Sequence, residues 1–379
     1  MQNRIYLDWN ATTPLRPEGR AAMEAAWDLS GNPSSVHAEG RQARRLVEDA
    51  RAAVAASVGA TPQNVVFASS GTEANALALG PGLHAAGGKP VRRLLVSSIE
   101  HASVMAGGRF APEAIEKIAV NSSGIVDLDD LSRKLAAAEP ALVSIMAANN
   151  ETGALQPISE AARVVHEMGG VLHVDAIQAL GKIPLNIRKL GADLVSLSAH
   201  KIGGPKGVGA LVFADGLKGL VPLVRGGGQE RGHRAGTENA AGIAGFGAAA
   251  KVALTTLEAD GRRLESLRSQ LEAGLRQTPG LIVFSADIPR LPNTTLFTVP
   301  GLRAETAVIG FDLEGIAVSS GAACSSGKVQ PSHVLEAMGF GPKLAQGAVR
   351  LSLGWSTTKT DIESCLKAWR KLAATLIKG

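Results

Sequence analysis

The chain has 379 residues, 45% of them hydrophobic and 19% charged, which suits one major and one minor globular domain. A net charge of +5 without a block of like charges, and an aromatic content of 3% with a single Tyr, argue against a nucleic-acid partner. Two cysteines form no disulfide framework, MQNRIYLDWN carries no signal pattern, and no run approaches about 18 uninterrupted apolar residues. A cytoplasmic protein with no membrane span is expected.

In chain order, residues 5–7 read as a short strand and Asn10-Ala11-Thr12-Thr13-Pro14 as a turn. Pro17 sits well at a first helical position. After the loop at Asn32–His37, residues 39–58 have helical spacing and stop at Gly59, with His37 a loop or cap residue. Residues 65–68 read as a strand running into Ser69-Ser70-Gly71-Thr72-Glu73 and a helix. Ser70 and Glu73 fit a capping box, and the helix start it defines offers free N–H groups to an anion. Strands follow at 93–98 and 141–147, the first leading to Ile99-Glu100-His101 and the second to Asn149-Asn150-Glu151-Thr152-Gly153. Helices are expected over 128–138 and 157–168.

The most informative stretch is 171–207, VLHVDAIQALGKIPLNIRKLGADLVSLSAHKIGGPKG. Short runs rich in Val and Leu read as buried strands of a parallel sheet. Asp175 and Lys201 then fall near strand ends, the edge where open α/β sheets bind ligands. An acid and an amine there form either a salt bridge or a seat for pyridoxal phosphate. In the second case Lys201 attaches the aldehyde and Asp175 pairs with the ring nitrogen. Ser198 and His200 alternate along extended backbone and can both face a phosphate. His173 shares the face of Asp175 and is taken as a packed residue.

A strand at 207–214 precedes Arg225–Thr237, a glycine-rich loop too long to be incidental in a compact domain. The region 238–277 is helical, with a break expected near Asp260-Gly261 and a domain boundary close by. Short strands and helices then alternate. Cys365 lies on the apolar face of the last helix with Ile362, Leu366 and Trp369, as a core thiol would. Cys324 sits among Ser319-Ser320-Gly321-Ala322-Ala323 and Ser325-Ser326-Gly327-Lys328, small residues that suggest an accessible thiol. Arg350, inward on the strand AVRLSLG, needs an anionic partner, either a fixed acid or a carboxylate substrate. No C-x-x-C or H-E-x-x-H occurs, so no metal is expected.

The motifs DAIQALGK, SLSAHKIGGPKG and SSGAACSSG, together with YLDWNATTP and VRLSLGWST, resemble the NifS/IscS group of cysteine desulfurases within the class V aminotransferases. The resemblance runs nearly the whole chain. It implies a PLP fold type I architecture: a large domain with a mostly parallel seven-stranded sheet flanked by helices, plus a smaller α+β domain. The large domain is assigned 15–255, and the smaller one 1–14 with 256–379. It also implies roles. Gly71 and Thr72 bind the cofactor phosphate with Ser198 and His200, and Thr237 reaches the phosphate of a neighbouring subunit in a homodimer. His101 stacks on the ring and handles protons, Gln178 donates to its phenolic oxygen, and Asn150 lies between that oxygen and the substrate carboxylate held by Arg350. Relatives often have His or Tyr before the Asn pair, where this chain has Ala147 and Ala148.

The implied reaction converts L-cysteine to L-alanine and leaves a persulfide on Cys324, for iron–sulfur cluster or other thio-cofactor biosynthesis. A scaffold or other acceptor protein receives the sulfur. A selenocysteine lyase, a class V aminotransferase and a non-catalytic sulfur-transfer scaffold are the alternatives. The length of the Cys324 loop and the intact set Lys201, Asp175 and Cys324 favour the desulfurase.

Overall fold

A computed structural model describes residues 4–137, 139–321 and 331–377; Cys324 lies outside the described residues. Strand β1 (Ile5–Tyr6) opens the chain. The large sheet follows from β2 (Val65–Ala68), β3 (Arg93–Ser97), β4 (Ile115–Ile118), β5 (Ala141–Ser144), β6 (Val171–Asp175), β7 (Leu194–Ser198) and β8 (Gly209–Phe213). Its order is β2-β8-β7-β6-β5-β3-β4, and only β8 runs against its neighbours. Strands such as VVFA, ALVS and LVSLS are buried along their full length, as a sheet covered on both faces requires. β2, β3, β5, β6 and β7 therefore end at one edge of the sheet, and Gly71, His101, Asn150, Asp175 and Lys201 follow or close them.

The C-terminal part holds β9 (Ile282–Val283), β10 (Thr294–Thr298), β11 (Ile316–Ala317), β12 (Ser319–Ser320) and β13 (Val349–Ser352). β11 pairs with β1, and the other four form an antiparallel sheet of order β12-β13-β10-β9. A second core gathers here around Leu7, Leu271, Phe297, Phe311 and Trp369. The indole of Trp369 meets Phe297 edge-on at 5.0 Å and stacks with Phe311 at 6.1 Å. Cys365 is buried in this core, and burial pushes its thiol up to about 12, so it stays protonated and inert.

The expected break at Asp260-Gly261 does not exist. One helix runs unbroken from Ala240 to Leu275. Its first half packs Ile243, Phe246, Ala249 and Ala253 into the core of the large sheet, and its second half packs Leu264, Leu267, Leu271 and Leu275 into the other core. Glycine costs a helix interior about 1 kcal/mol, and apolar packing on both sides of it outweighs that cost. The N-terminal half is apolar enough to match a membrane span by length and composition. Half of that window is buried, against the helices Pro17–Trp27 and Ala38–Ser57 and the sheet.

Other segments differ from expectation mainly at their ends. The strand expected to reach residue 147 stops at Ser144, and the helix expected to reach 138 stops at Ala136. His37 caps the helix Ala38–Ser57 by accepting from Gly40 N. The loop 225–237 is not slack. Glu230 and Arg231 hold φ of 47° and 56°, and Arg51 grips the Glu230 carboxylate with two bonds of 2.6 and 2.9 Å. Phe67 N donates to the same carboxylate at 2.8 Å.

A Cβ added at Gly261 would meet nothing within 4 Å. Gly261→Ala should therefore raise stability by about 0.5–1 kcal/mol in urea unfolding, since alanine suits an uninterrupted helix better. A loss of stability would show that the residue sits at a bend.

Candidate active site

A cavity of 490 Å³ opens at the carboxyl edge of the large sheet. It is lined by Gly71, Thr72, His101, Asn150, Asp175, Gln178, Ser198, His200, Lys201 and Arg350, ten residues singled out in the sequence. Asp8, Asn10, Ser103 and Ser319 also face it. Thr237 does not; it lines a separate cleft with Ser69, Glu230 and Arg234. One described flank of the segment that contains Cys324 lines the cavity, and the other bonds residues next in sequence to its lining. Ser319 lines the cavity on one side. On the other, Ser332 Oγ donates to Glu151 Oε2 at 2.5 Å, and His333 Nε2 lies 3.0 Å from Glu100 O.

The helix Gly71–Ala78 starts at the cavity. Ser70 caps it by accepting from Glu73 N at 3.1 Å, and Ala74 N bonds Ser70 O. The Glu73 carboxylate closes on Ser69 N rather than on the cap, so the capping box is only half formed. The N–H groups of Gly71 and Thr72 are left without an acceptor in the helix, the usual basis of an anion site. Side chains are excluded from this corner. A Cβ on Gly71 would come within 2.3 Å of Ile177, and one on Gly209 within 2.4 Å of the Ser70 backbone.

Asp175 is buried at the end of β6. Asn75 Nδ2 donates to one carboxylate oxygen at 2.8 Å, and Ile177 N donates to the other at 3.0 Å. Burial raises its pKa, and those donors with the charges of His101 and Lys201 oppose the rise. Glu100 behind it is pushed well above the carboxylate range, first by burial and then by Asp175, and one of its oxygens has no partner. Burial there favours its protonated form over the carboxylate. His101 caps the helix Ala102–Met105 through Nδ1, which leaves Nε2 for the cavity. Loss of hydration lowers its pKa against the pull of Asp175. His173 bridges Ser144 and Ser196 inside the sheet at 2.8 and 2.9 Å, and burial drives it down to about 3. It is a packed neutral imidazole.

Lys201 ends the turn Ala199–Lys201 that follows β7. Its Nζ donates to Asn10 O at 2.6 Å and Ala11 O at 2.8 Å. Burial, then the charge of Arg350, lowers its pKa to about 8. His200 Nδ1 lies 3.1 Å from Thr12 Oγ1, and burial beside Lys201 lowers that ring to about 4. Arg350 reaches in from β13. It pairs with Asp8 at 2.8 Å, donates to Asn150 O at 3.1 Å, and keeps a buried Nε unpaired. Both readings of this arginine thus coexist: it has a fixed acid in Asp8, and it lines the cavity.

Sequence reasoning passed over Asn10, Asn75 and Lys182. Asn75 stands four residues after Gly71, on the same helix face, a spacing that marks it in retrospect. Asn10 showed only as a turn residue. Every polar atom of Asn10 is engaged. Its N donates to Ser352, its Nδ2 to Asn150 O and Thr294, and its Oδ1 accepts from Lys182 and Asn293. Its carbonyl accepts from Gln178 and Lys201.

The residues present fit pyridoxal phosphate by their chemistry. A partly desolvated amine and a buried carboxylate face one cavity, and a helix start cleared of side chains offers free N–H groups beside them. Such a constellation defines an enzyme of the cofactor-dependent aminotransferase type. A sequence profile described as aminotransferase class-V matches residues 5–365, and the chain belongs to that family. It is 39% identical over 381 residues to the cysteine desulfurase IscS of Dictyoglomus turgidum, covering 99% of this chain and 96% of that one. A NifS-like protein from Rickettsia africae superposes with a TM-score of 0.90 at 38% identity, over 98% of this chain and 100% of its own. A structure of SspA in complex with cysteine gives 0.76 at 30% identity, over 92% and 98% of the two chains.

Asn10→Ala should cost about 2–3 kcal/mol in chemical denaturation, because the amine of Lys182 and the amide of Asn293 lose a shared acceptor in a buried place. An unchanged midpoint would show that water replaces the amide without loss.

Proposed function

We propose that this chain is a cysteine desulfurase that holds pyridoxal phosphate on Lys201 and moves sulfur from L-cysteine to Cys324. The observation that carries the reading is the pairing, across one cavity, of an amine whose pKa is lowered to about 8 with the buried carboxylate of Asp175. The names of the relatives point the same way.

When bound, the cofactor supplies an electron sink that weakens bonds at the α-carbon of an attached amino acid. The protein's own residues do the rest. Asp175 holds a proton on the ring nitrogen, and Gly71, Thr72, Ser198 and His200 hold the phosphate, joined by Thr237 from a second copy of the chain. Gln178 donates to the ring's phenolic oxygen. Arg350 and Asn150 bind the substrate carboxylate, Lys201 moves the α-proton, and His101 manages the proton of the substrate thiol. The Cys324 thiolate then attacks the substrate sulfur. The carbon–sulfur bond breaks, its electron pair stays with the three-carbon skeleton, and protonation yields alanine. Sulfur arrives on Cys324 as a persulfide, so the step balances without an external oxidant. A protein acceptor, such as an iron–sulfur scaffold, takes it on, in a cytoplasmic homodimer. We assign 15–255 to the cofactor domain and the remainder to the smaller one.

Two measurements test this. With L-cysteine, Lys201→Ala should give a colourless protein, and Cys324→Ala should bind the cofactor yet lose alanine and sulfide release by at least about 100-fold. Full desulfuration by Cys324→Ala would refute the acceptor assignment.

The second concerns pH. Only the neutral amine attacks an aldehyde, and Lys201 is neutral above its pKa. Mixing the cofactor-free protein with pyridoxal phosphate should show attachment rates rising about tenfold per unit at low pH and levelling above about 8. An ordinary lysine would keep rising to about 10.

A further inference from the structure

Lys182 lies seven residues past Asp175, beside the cavity rather than among its lining. Its Nζ donates to Gln178 Oε1 at 2.7 Å and to Asn10 Oδ1 at 3.2 Å. Among the described residues it makes no ion pair with a carboxylate. Burial depresses its pKa well below the usual amine value, and the charges of Lys201 and Arg350 add to that. Burying an amine this way is costly, so its retention asks for a reason.

The geometry around Gln178 supplies one. A side-chain amide can turn over about its last bond, which exchanges oxygen and nitrogen, and only its partners decide the orientation. Here the partners are unequivocal. Lys182 Nζ, as a donor at 2.7 Å, holds the oxygen on its side. On the other side stands the carbonyl of Asn10, an acceptor with no proton, which takes one N–H of Gln178 Nε2 at 2.9 Å. The second N–H is left for the cavity that Gln178 lines. With Lys182 removed, the amide keeps only the Asn10 carbonyl to distinguish its two ends and loses the partner that holds its oxygen.

We propose that Lys182 is a positioning residue that locks the Gln178 amide with its N–H toward the cofactor's phenolic oxygen. The inference rests on the reading of the cavity as a pyridoxal phosphate site. A donor at that oxygen favours the anionic ring, so it lowers the pH at which the bound cofactor's visible band changes form. Any positive charge on Lys182 would move the band in the same sense by acting through space. The two routes separate in a double-mutant cycle, because an effect routed through Gln178 vanishes when Gln178 cannot donate.

The experiment is a pH titration of the visible band of holoenzyme, with no substrate present. Lys182→Met and Gln178→Leu should each raise the midpoint by about one pH unit, the size expected for one hydrogen bond. The double variant should shift no further than Gln178→Leu alone. Lys182→Arg, also a donor, should keep the wild-type midpoint, and a small void bordered by Lys182 gives the larger head group room. A Lys182→Met shift that adds in full to that of Gln178→Leu would overturn the inference in favour of direct charge. So would an unshifted Lys182→Met beside a shifted Gln178→Leu, or a shifted Lys182→Arg. A wild-type chain that takes up no coloured cofactor would instead sink the reading of the cavity, and this inference with it.

Discussion

The site depends on a single buried amide. Asn10, from the turn after β1, binds across to β13 through Ser352, to β10 through Thr294, to the turn after β5 through Asn150, and to Lys201 after β7. No pair of these segments is close in sequence. Each bond is worth about 1 kcal/mol net, but leaving any of these buried groups unpaired costs more. The N-terminal turn is thus the peg on which the two sheets agree about where the amine stands.

Around that peg, burial rather than pairing sets the charges. Glu100 is pushed toward its neutral form, Lys201 is brought within reach of neutrality, and Asp175 keeps two good donors for an ionised form. Pushing neighbouring groups in opposite directions is how one cavity supplies a base and an acid at the same pH. Arg350 and Asp8 bring the opposing pair from the other sheet and its neighbouring turn, so the cavity is charged on both walls.

Much of this was legible in the chain. Val-rich runs ending in Asp175 and before Lys201 announced the sheet edge, and the Ser70–Glu73 pattern announced the helix start. Motif order, rather than periodicity, assigned roles to Gln178 and Asn150. What escaped was long-range. Asn10 sits in a stretch whose local chemistry says only turn, and its partners lie far away in the chain; Lys182 bonds Gln178 four residues back, but what buries it comes from Asn10 and other distant segments. The Asp260-Gly261 pair failed for the opposite reason: its local signal was clear and packing overrode it. The strand was drawn too long because buried apolar residues continue past Ser144 into Ile145, Met146 and Ala147; Ile145 N and Ala147 N still bond His173 O and Asp175 O, although the regular strand ends at Ser144.

The helix Ala240–Leu275 is about 54 Å of continuous rod at the usual rise per residue. Both cores are bolted to it. A jaw-like opening between them would have to snap backbone bonds in its middle, where Arg263 further ties it to the carbonyls of Gly354, Trp355 and Thr357. Lys201 and Arg350, which line one cavity from the two halves of the molecule, are therefore joined through a single rod as well as through the cavity itself.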